Sequence, residues 1–263
     1  MSRQVLLSFD VEEFDIPLEY NCSLSLDEQM EIGRRGLKAL MPVIDSHNIT
    51  CTMFTTANYA LHFPDTIKQI AQKHEIASHT FYHSSFLNKH LLESKKTLEK
   101  ITGTEITGLR MPRMKNVDMK EVAKAGYVYD SSINPTWLPG RYNNLNLPRT
   151  TYVEEGVIRL PVSVSPMLRL PLFWLAFKNY PYSLFLHLCL QCIKKDGYVC
   201  LYFHPWEFTD INNYNLPGYV KKHCGNELLT RLQQLIKDLK KDCEFISIQK
   251  FIRKKISDGS ISN

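Results

Sequence analysis

Apolar runs of strand length alternate along this chain with longer segments of helical period, and that alternation confines it to repeated β-then-α units around a parallel sheet. The pattern predicts strands over Val5–Phe9, Thr50–Thr55, Glu75–Ser78, Gly108–Arg110, Tyr127–Tyr129, Val157–Pro161, Tyr198–Phe203 and Glu244–Ser247. Helices are expected over Leu26–His47, Pro64–Lys73, Leu91–Thr102, Asp118–Ala125, Tyr182–Lys195 and Glu227–Lys241. Ser25 or Asp27 is placed to cap the first of these, and Gly126 and Gly197 fall where helix C-terminal glycines belong. Residues 133–152 are rich in Pro, Asn and Gly and read as a long loop. With 263 residues and no linker-like stretch, the expectation is one α/β barrel domain over residues 1–263.

Five polar islands sit at the ends of these apolar runs: S-F-D-V-E-E (Ser8 to Glu13), S-H-T-F-Y-H (Ser78 to His83), L-R-M-P-R (Leu109 to Arg113), Y-D-S-S (Tyr129 to Ser132) and L-Y-F-H-P-W-E (Leu201 to Glu207). In parallel α/β architectures ligands bind beyond the C-terminal strand ends, where successive loops converge. Strand alternation puts Asp10 and Glu12 on one side and Glu13 on the other. His79 and His83, four apart, would meet if one helical turn joined them, close enough to share an ion. Two imidazoles and one acid form the donor set of catalytic zinc, which leaves a position open for water. Arg110 is placed to hold a catalytic carboxylate through a bidentate pair, and His204 to protonate a leaving group.

Each island also has an ordinary explanation. Strand ends are often decorated with surface acids, paired histidines occur by chance in solvated turns, and a lone His after a buried strand is commonly a hydrogen-bonded core residue. The histidines at 47, 62, 74, 90, 187 and 223 have neither partner spacing nor strand-end placement and read as core or surface residues. Trp137, Trp174 and Trp206 read as packing residues, with Trp206 also positioned to line a sugar subsite beside His204. What separates the islands from coincidence is that all five fall at the same end of predicted strands.

The net charge of +5 comes from Lys and Arg spread along the chain and clustered only at Lys237 to Lys241 and Lys250 to Lys255, the pattern of solvated helix faces. A nucleic-acid partner is therefore not expected. Seven cysteines without framework spacing suit a reducing compartment, and Cys189 and Cys192 read as core. The first strand begins almost at once, so no secretory leader is expected and the location implied is cytoplasmic. The apolar stretch Val164 to Ile193 is interrupted by Arg169, Pro171, Lys178 and Pro181, which argues for a lid or buried helix rather than a membrane span.

With these islands in this order, the chain resembles the polysaccharide deacetylase family, the NodB-homology carbohydrate esterases, and within it the branch whose first motif reads D-V-E. The likeness runs from Ser8 to about Glu207 and includes T-M-F-T-T, E-I-A-S-H, G-Y-V-Y-D-S-S and F-H-P-W-E. It implies a distorted (β/α) barrel of about seven parallel strands and metal-dependent removal of acetyl from an N-acetylated sugar. Carried over position by position, Asp10 is the catalytic base, Glu12, His79 and His83 are ligands of a divalent metal, expected to be zinc, Arg110 orients Asp10, and His204 is the general acid with Asp130 in support. Arg113, Tyr202 and Trp206 are expected to bind substrate, Arg113 adding a positive charge that would favour a phosphate- or carboxylate-bearing sugar. The same barrel also occurs in allantoinase-like proteins acting on cyclic amides, and a non-catalytic carbohydrate-binding barrel is a further alternative. The pattern departs from the family where Glu12 stands for an aspartate, where Arg113 stands for tyrosine, and where Ser165 to Tyr182 lacks expected glycines.

Overall fold

The computed structural model describes residues 3–261. Its strands are β1 Gln4–Val11, β2 Thr52–Thr55, β3 Glu75–Ser78, β4 Gly108–Leu109, β5 Tyr129–Asp130, β6 Trp137–Leu138, β7 Tyr142–Asn143, β8 Tyr152–Glu154, β9 Val157–Arg159, β10 Tyr198–Phe203 and β11 Glu244–Phe245. Seven of them run side by side and parallel in the order β10, β1, β2, β3, β4, β5, β9. β8 adds antiparallel to β9, and β11 pairs with the start of β1. The curl is drawn together by a crossing contact rather than a ladder: the Ser163 N–H donates to the Cys200 carbonyl at 3.0 Å, and Ser163 Oγ accepts from the Cys200 N–H at 2.8 Å. The result is the distorted (β/α) barrel expected from the sequence, with helices outside the sheet.

The pleat of β1 explains where chemistry is placed. Val5, Leu7, Phe9 and Val11 join the large core between sheet and helices, while Leu6 belongs to a smaller interior cluster with Phe54, Ala77 and Tyr129. Ser8 and Asp10 share the face of Leu6 because side chains alternate along a strand. The barrel interior is thus apolar at one end and turns polar toward the C-terminal strand ends. Each strand there hands the chain to a loop, so side chains distant in sequence are gathered over one opening.

All eight strands foreseen in the sequence are present: β3 and β10 with the bounds expected, β1 longer at both ends, β5 displaced to Tyr129–Asp130, and β2, β4, β9 and β11 shortened. The Pro64–Lys73 segment is helical only over Pro64–Ile70 and is preceded by another helix, Ala57–His62, started by Thr56, whose hydroxyl accepts from the Tyr59 N–H. A short helix over Trp174–Asn179 and a C-terminal one over Ile248–Ser257 were also unforeseen. Residues 133–152 are not wholly irregular, since β6 and β7 form a small antiparallel hairpin within them. The apolar stretch after Val164 resolves into the Trp174–Asn179 helix and a longer one over Tyr182–Asp196, parted by Pro181 at the second helix's start. No helix among the described residues is long and apolar enough to cross a membrane.

The first long helix, Leu26–Ser46, lies so close to the loops over the barrel mouth that two glycines on it are obligatory. A Cβ at Gly36 would lie 1.9 Å from the Pro205 carbonyl oxygen, and one at Gly33 would lie 2.9 Å from that of Glu12. This helix therefore sets the depth of both the Glu12 loop and the turn after His204. Gly36→Ala is expected to destabilise the protein by about 1–3 kcal/mol through overpacking, lowering the midpoint of thermal unfolding by roughly 3–10 °C. An unchanged midpoint in calorimetry would show that the two segments are not in this contact.

Candidate metal-binding active site

Four of the five islands meet in a cleft lined by Asp10, Glu12, His79, His83, Arg113, Tyr202, His204 and Trp206 among others. At its floor the Glu12 carboxylate is the meeting point. Glu12 Oε2 lies 3.0 Å from Nε2 of His79 and 3.0 Å from Nε2 of His83, and Oε1 accepts from the Trp206 indole N–H at 3.2 Å. The three side chains are buried, and each offers a ligand atom within 4.8 Å of the others, so they could hold one metal ion. Glu13, by contrast, turns away to accept from Thr56 and Asn58, as strand alternation required.

The imidazoles come together by a route different from the one foreseen. Residues 79–88 are not helical; the chain turns through a left-handed Thr80 with φ of 63°, and the two rings stack with centroids 5.6 Å apart. Their outer nitrogens are both occupied. His79 Nδ1 donates to the Arg110 carbonyl at 2.8 Å and His83 Nδ1 donates to Asp15 Oδ1 at 2.7 Å, which aims both Nε2 atoms inward. A carbonyl or carboxylate on the far nitrogen is the usual backing of a metal-ligating histidine, fixing its tautomer and raising its basicity. The donor set and its backing fit a divalent ion of the zinc type.

Asp15 was not singled out in the sequence. It is buried, and beyond His83 both its carboxylate oxygens accept from one Arg113 nitrogen, Nη2, at 3.0 Å each. Arg113 also bonds Glu19 and the His83 carbonyl, and Arg141 meets the other oxygen of Glu19. The Arg113 guanidinium is therefore committed to two carboxylates and does not stand as a free charge for substrate. Its backbone, like that of Met114, is left-handed, with φ of 55° and 53°. Such a conformation in two successive side-chain-bearing residues stores strain beside the cleft.

Asp10 sits beside this cluster under the control of Arg110. The Arg110 side chain is fully buried; its Nη1 donates to Asp10 Oδ1 at 2.7 Å and to Ser8 Oγ at 2.9 Å. The pair is not bidentate as foreseen, because Nε and Nη2 donate instead to the Ser131 carbonyl and hydroxyl. Asp10 Oδ2 remains directed to the cleft, 3.9 Å from His204 Nε2. Asp130 is not brought to His204. Its carboxylate takes the Ser132 hydroxyl and N–H and pairs with Arg159 at 3.0 Å. Glu207 holds His204 instead: its Oε1 accepts from His204 Nδ1 at 3.0 Å and from the His204 N–H at 2.8 Å.

Aromatic rings wall this half of the cleft. Trp206 stacks on His204 with centroids 4.9 Å apart, Trp174 meets the same imidazole edge-on at 5.1 Å, and Tyr202 lies beneath it at 5.8 Å, stacked on Phe173. Trp206 thus touches both a ligand candidate and His204 while lining the cavity.

Electrostatics follow from crowding of opposite charges out of water. Burial disfavours the charged form of Glu12, but His83 and His204 nearby and hydrogen bonds from both imidazoles outweigh it and hold its carboxyl well below the usual range. Burial likewise opposes protonation of His83, yet Glu12 and Asp15 push its pKa up to about 10. His204 is raised against burial by Glu12, Glu207 and Asp10, and Glu207 is lowered against burial by Lys178 and His204.

The fold has counterparts. The family described as polysaccharide deacetylase matches residues 21–129, and a second, described as Domain of unknown function (DUF3473), matches residues 131–253. The match to the polysaccharide deacetylase family thus spans the part of the chain that carries His79, His83, Arg110 and Arg113. Its structure is similar to those of two candidate polysaccharide deacetylases, one from Mycobacterium smegmatis and one from Pseudomonas aeruginosa PAO1. The first has 19% identity and a TM-score of 0.68 over 99% of this chain and 92% of that one; the second has 13% identity and a TM-score of 0.68 over 97% and 92%. It is also similar to Puue allantoinase, at 15% identity and a TM-score of 0.65 over 97% of this chain and 91% of that one. No curated protein matches the sequence.

Two outcomes follow for metal uptake. Because His83 carries a proton up to about pH 10, an ion binding there must displace it. Affinity for zinc should therefore rise about tenfold per pH unit between about pH 6 and pH 9, read by competition with a chromophoric chelator. A pH-independent affinity would remove His83 from the ligand set. Asp15→Ala is expected to weaken zinc binding by about 10–100-fold while leaving all three ligands in place.

Proposed function

We propose that this protein is a metal-dependent carbohydrate N-deacetylase that hydrolyses the acetamide of an N-acetylated amino sugar. The observation that carries the proposal is the convergence of two backed imidazole Nε2 atoms on Glu12 Oε2 at 3.0 Å each, beside a second acid, Asp10, held by a buried arginine. A divalent ion held by Glu12, His79 and His83, most simply zinc, would supply Lewis-acid polarisation of the acetamide carbonyl and acidify water. The match of residues 21–129 to the polysaccharide deacetylase family supports an acetylated sugar as substrate.

In this reading Asp10 takes the proton of the attacking water, and Arg110 holds it directed into the cleft. Water oxygen bonds to the carbonyl carbon, the C–N bond breaks, and acetate and a free amine leave. His204 Nε2, on the far side of the acids, gives its proton to the departing nitrogen. The backbone N–H of Arg113 is proposed as a further donor to the developing oxyanion. Tyr202, Trp174 and Trp206 provide apolar faces for a sugar ring. Charge at the rim is balanced, Arg113 and Arg141 against Asp15 and Glu19, so recognition is assigned to this lining rather than to an anionic group.

Cyclic-amide hydrolysis is the second reading, favoured by the fold shared with Puue allantoinase. Acetate release from free, nucleotide-linked and lipid-linked N-acetyl amino sugars, run beside ring opening of allantoin, separates the two. Acetate release is expected, abolished by chelation and restored by a divalent metal. Asp10→Asn should lower kcat by about 10²–10⁴-fold with metal content intact. Full turnover by the metal-free protein, or by His79→Ala, would overturn the proposal.

A further inference from the structure

Behind His204 lies a buried ion pair that the reaction as set out above does not use. Lys178 Nζ and Glu207 Oε2 are 3.1 Å apart, and both side chains are fully buried. Nζ also donates to the Val220 carbonyl at 2.8 Å and lies 3.2 Å from Cys224 Sγ. Its remaining surroundings are the rings of Trp174 and Trp206, with centroids at 5.4 and 5.7 Å. The other Glu207 oxygen holds His204 through both its backbone N–H and Nδ1. A continuous polar line therefore runs from Lys178 through Glu207 to His204, whose Nε2 opens on the cleft.

A buried ion pair is a poor way to gain stability, because desolvating two charges consumes most of their attraction and an apolar pair of similar volume serves as well. Its geometry here is informative for another reason. Glu207 is the third residue of the 3₁₀ turn Pro205–Phe208 and reaches back to the residue that starts it, so its position is fixed by the backbone it caps. That leaves its carboxylate facing the imidazole on one side and the lysine on the other. Asp130, which stood for this role in the sequence, is occupied by Arg159 and Ser132.

We infer that Glu207 and Lys178 are positioning residues for His204, which fix its ring so that Nδ1 is turned to Glu207 and Nε2 presents a hydrogen to the leaving nitrogen. This deepens the proposed deacetylation and rests on that reading. Glu207 sets the ring's orientation by accepting from Nδ1 while its bond from the His204 backbone N–H anchors it, and Lys178 keeps the carboxylate in place. The segment from Ser165 to Tyr182 thereby acquires a function: its Trp174–Asn179 helix delivers Trp174 to the face of the cleft and Lys178 to its rear.

The test compares two leaving groups on the metal-loaded enzyme. An N-acetyl amino sugar needs its departing nitrogen protonated, whereas p-nitrophenolate leaves p-nitrophenyl acetate without help. Glu207→Ala and Lys178→Met are expected to lower kcat on the amide by about 10–100-fold with KM changed less than about threefold, so the ratio of amide to ester turnover falls at least tenfold. Glu207→Gln, which keeps an acceptor oxygen, should recover part of that ratio. The double variant Lys178→Met/Glu207→Gln removes both buried charges together and gives a folded comparison if a single charge left alone unfolds the chain. A ratio equal to that of the wild type in the double variant, or equal losses on both substrates, would overturn the inference. Wild-type protein that cleaves the ester but no acetamide would instead bring down the deacetylase reading itself, and this inference with it.

Discussion

The buried guanidinium of Arg110 is the constraint on which the site depends. It spans the barrel interior from β1 to the loop after β5, joining Ser8 and Asp10 to Ser131, and its plane lies over the Phe54 ring at 4.0 Å. A lysine could supply the charge but not three directions of donation from one rigid plane. The backbone of the same residue accepts from His79 Nδ1, so the orientation of a metal-ligand candidate and of the catalytic base candidate are set at one position. Removing a partner from such a buried pair typically costs about 3–5 kcal/mol, which ties the integrity of the fold to that of the chemistry.

Around that fixed point the acids and cations alternate so that no charge is left alone. Asp10 faces Arg110, Glu12 faces two imidazoles, Asp15 lies between His83 and Arg113, and Glu207 lies between His204 and Lys178. Asp10, Asp15 and Glu207 each lie between an imidazole facing the cleft and a cation of the scaffold. The arrangement lets several ionised groups share a small volume with little net repulsion, and it keeps them ordered before any ligand enters. Preorganisation of this kind is where catalytic sites gain most, since dipoles already aimed need not reorganise as charge develops.

The parallel sheet and the islands at its strand ends were legible in the sequence because both depend on local periodicity. Strand alternation placed Asp10 and Glu12 together and Glu13 apart, and so it is found. What could not be read was which opposite charge each group would meet. Asp130 stands at a strand end like Asp10, yet Arg159 on the adjacent β9 claims it, and only the register of β5 against β9 decides that. His79 and His83 meet through a left-handed turn at Thr80, a backbone state that a β-branched residue rarely adopts and that no propensity would have suggested. Asp15 carries no strand-end signal at all. Glu207 did leave one, since His-x-x-Glu at the start of a turn has the spacing of a capping box, but that spacing reads first as a helix signal.

The aromatic wall explains why the second half of the chain matters to a cluster whose candidate ligands, Glu12, His79 and His83, all lie in the first. Residues 131–253 supply His204, Trp206, Glu207, Trp174 and Lys178, and the Trp206 indole N–H reaches back to Glu12. Trp206 thus couples the two halves: its ring stacks on the imidazole while its nitrogen holds the carboxylate. A movement of the His204 turn would be felt at Glu12 at once, and Gly36, with no room for even a methyl group against Pro205, limits that movement from behind. The helix Leu26–Ser46, the 3₁₀ turn and the end of β1 therefore form one packed unit, and the relative placement of Asp10, Glu12 and His204 is a property of that packing rather than of any single loop.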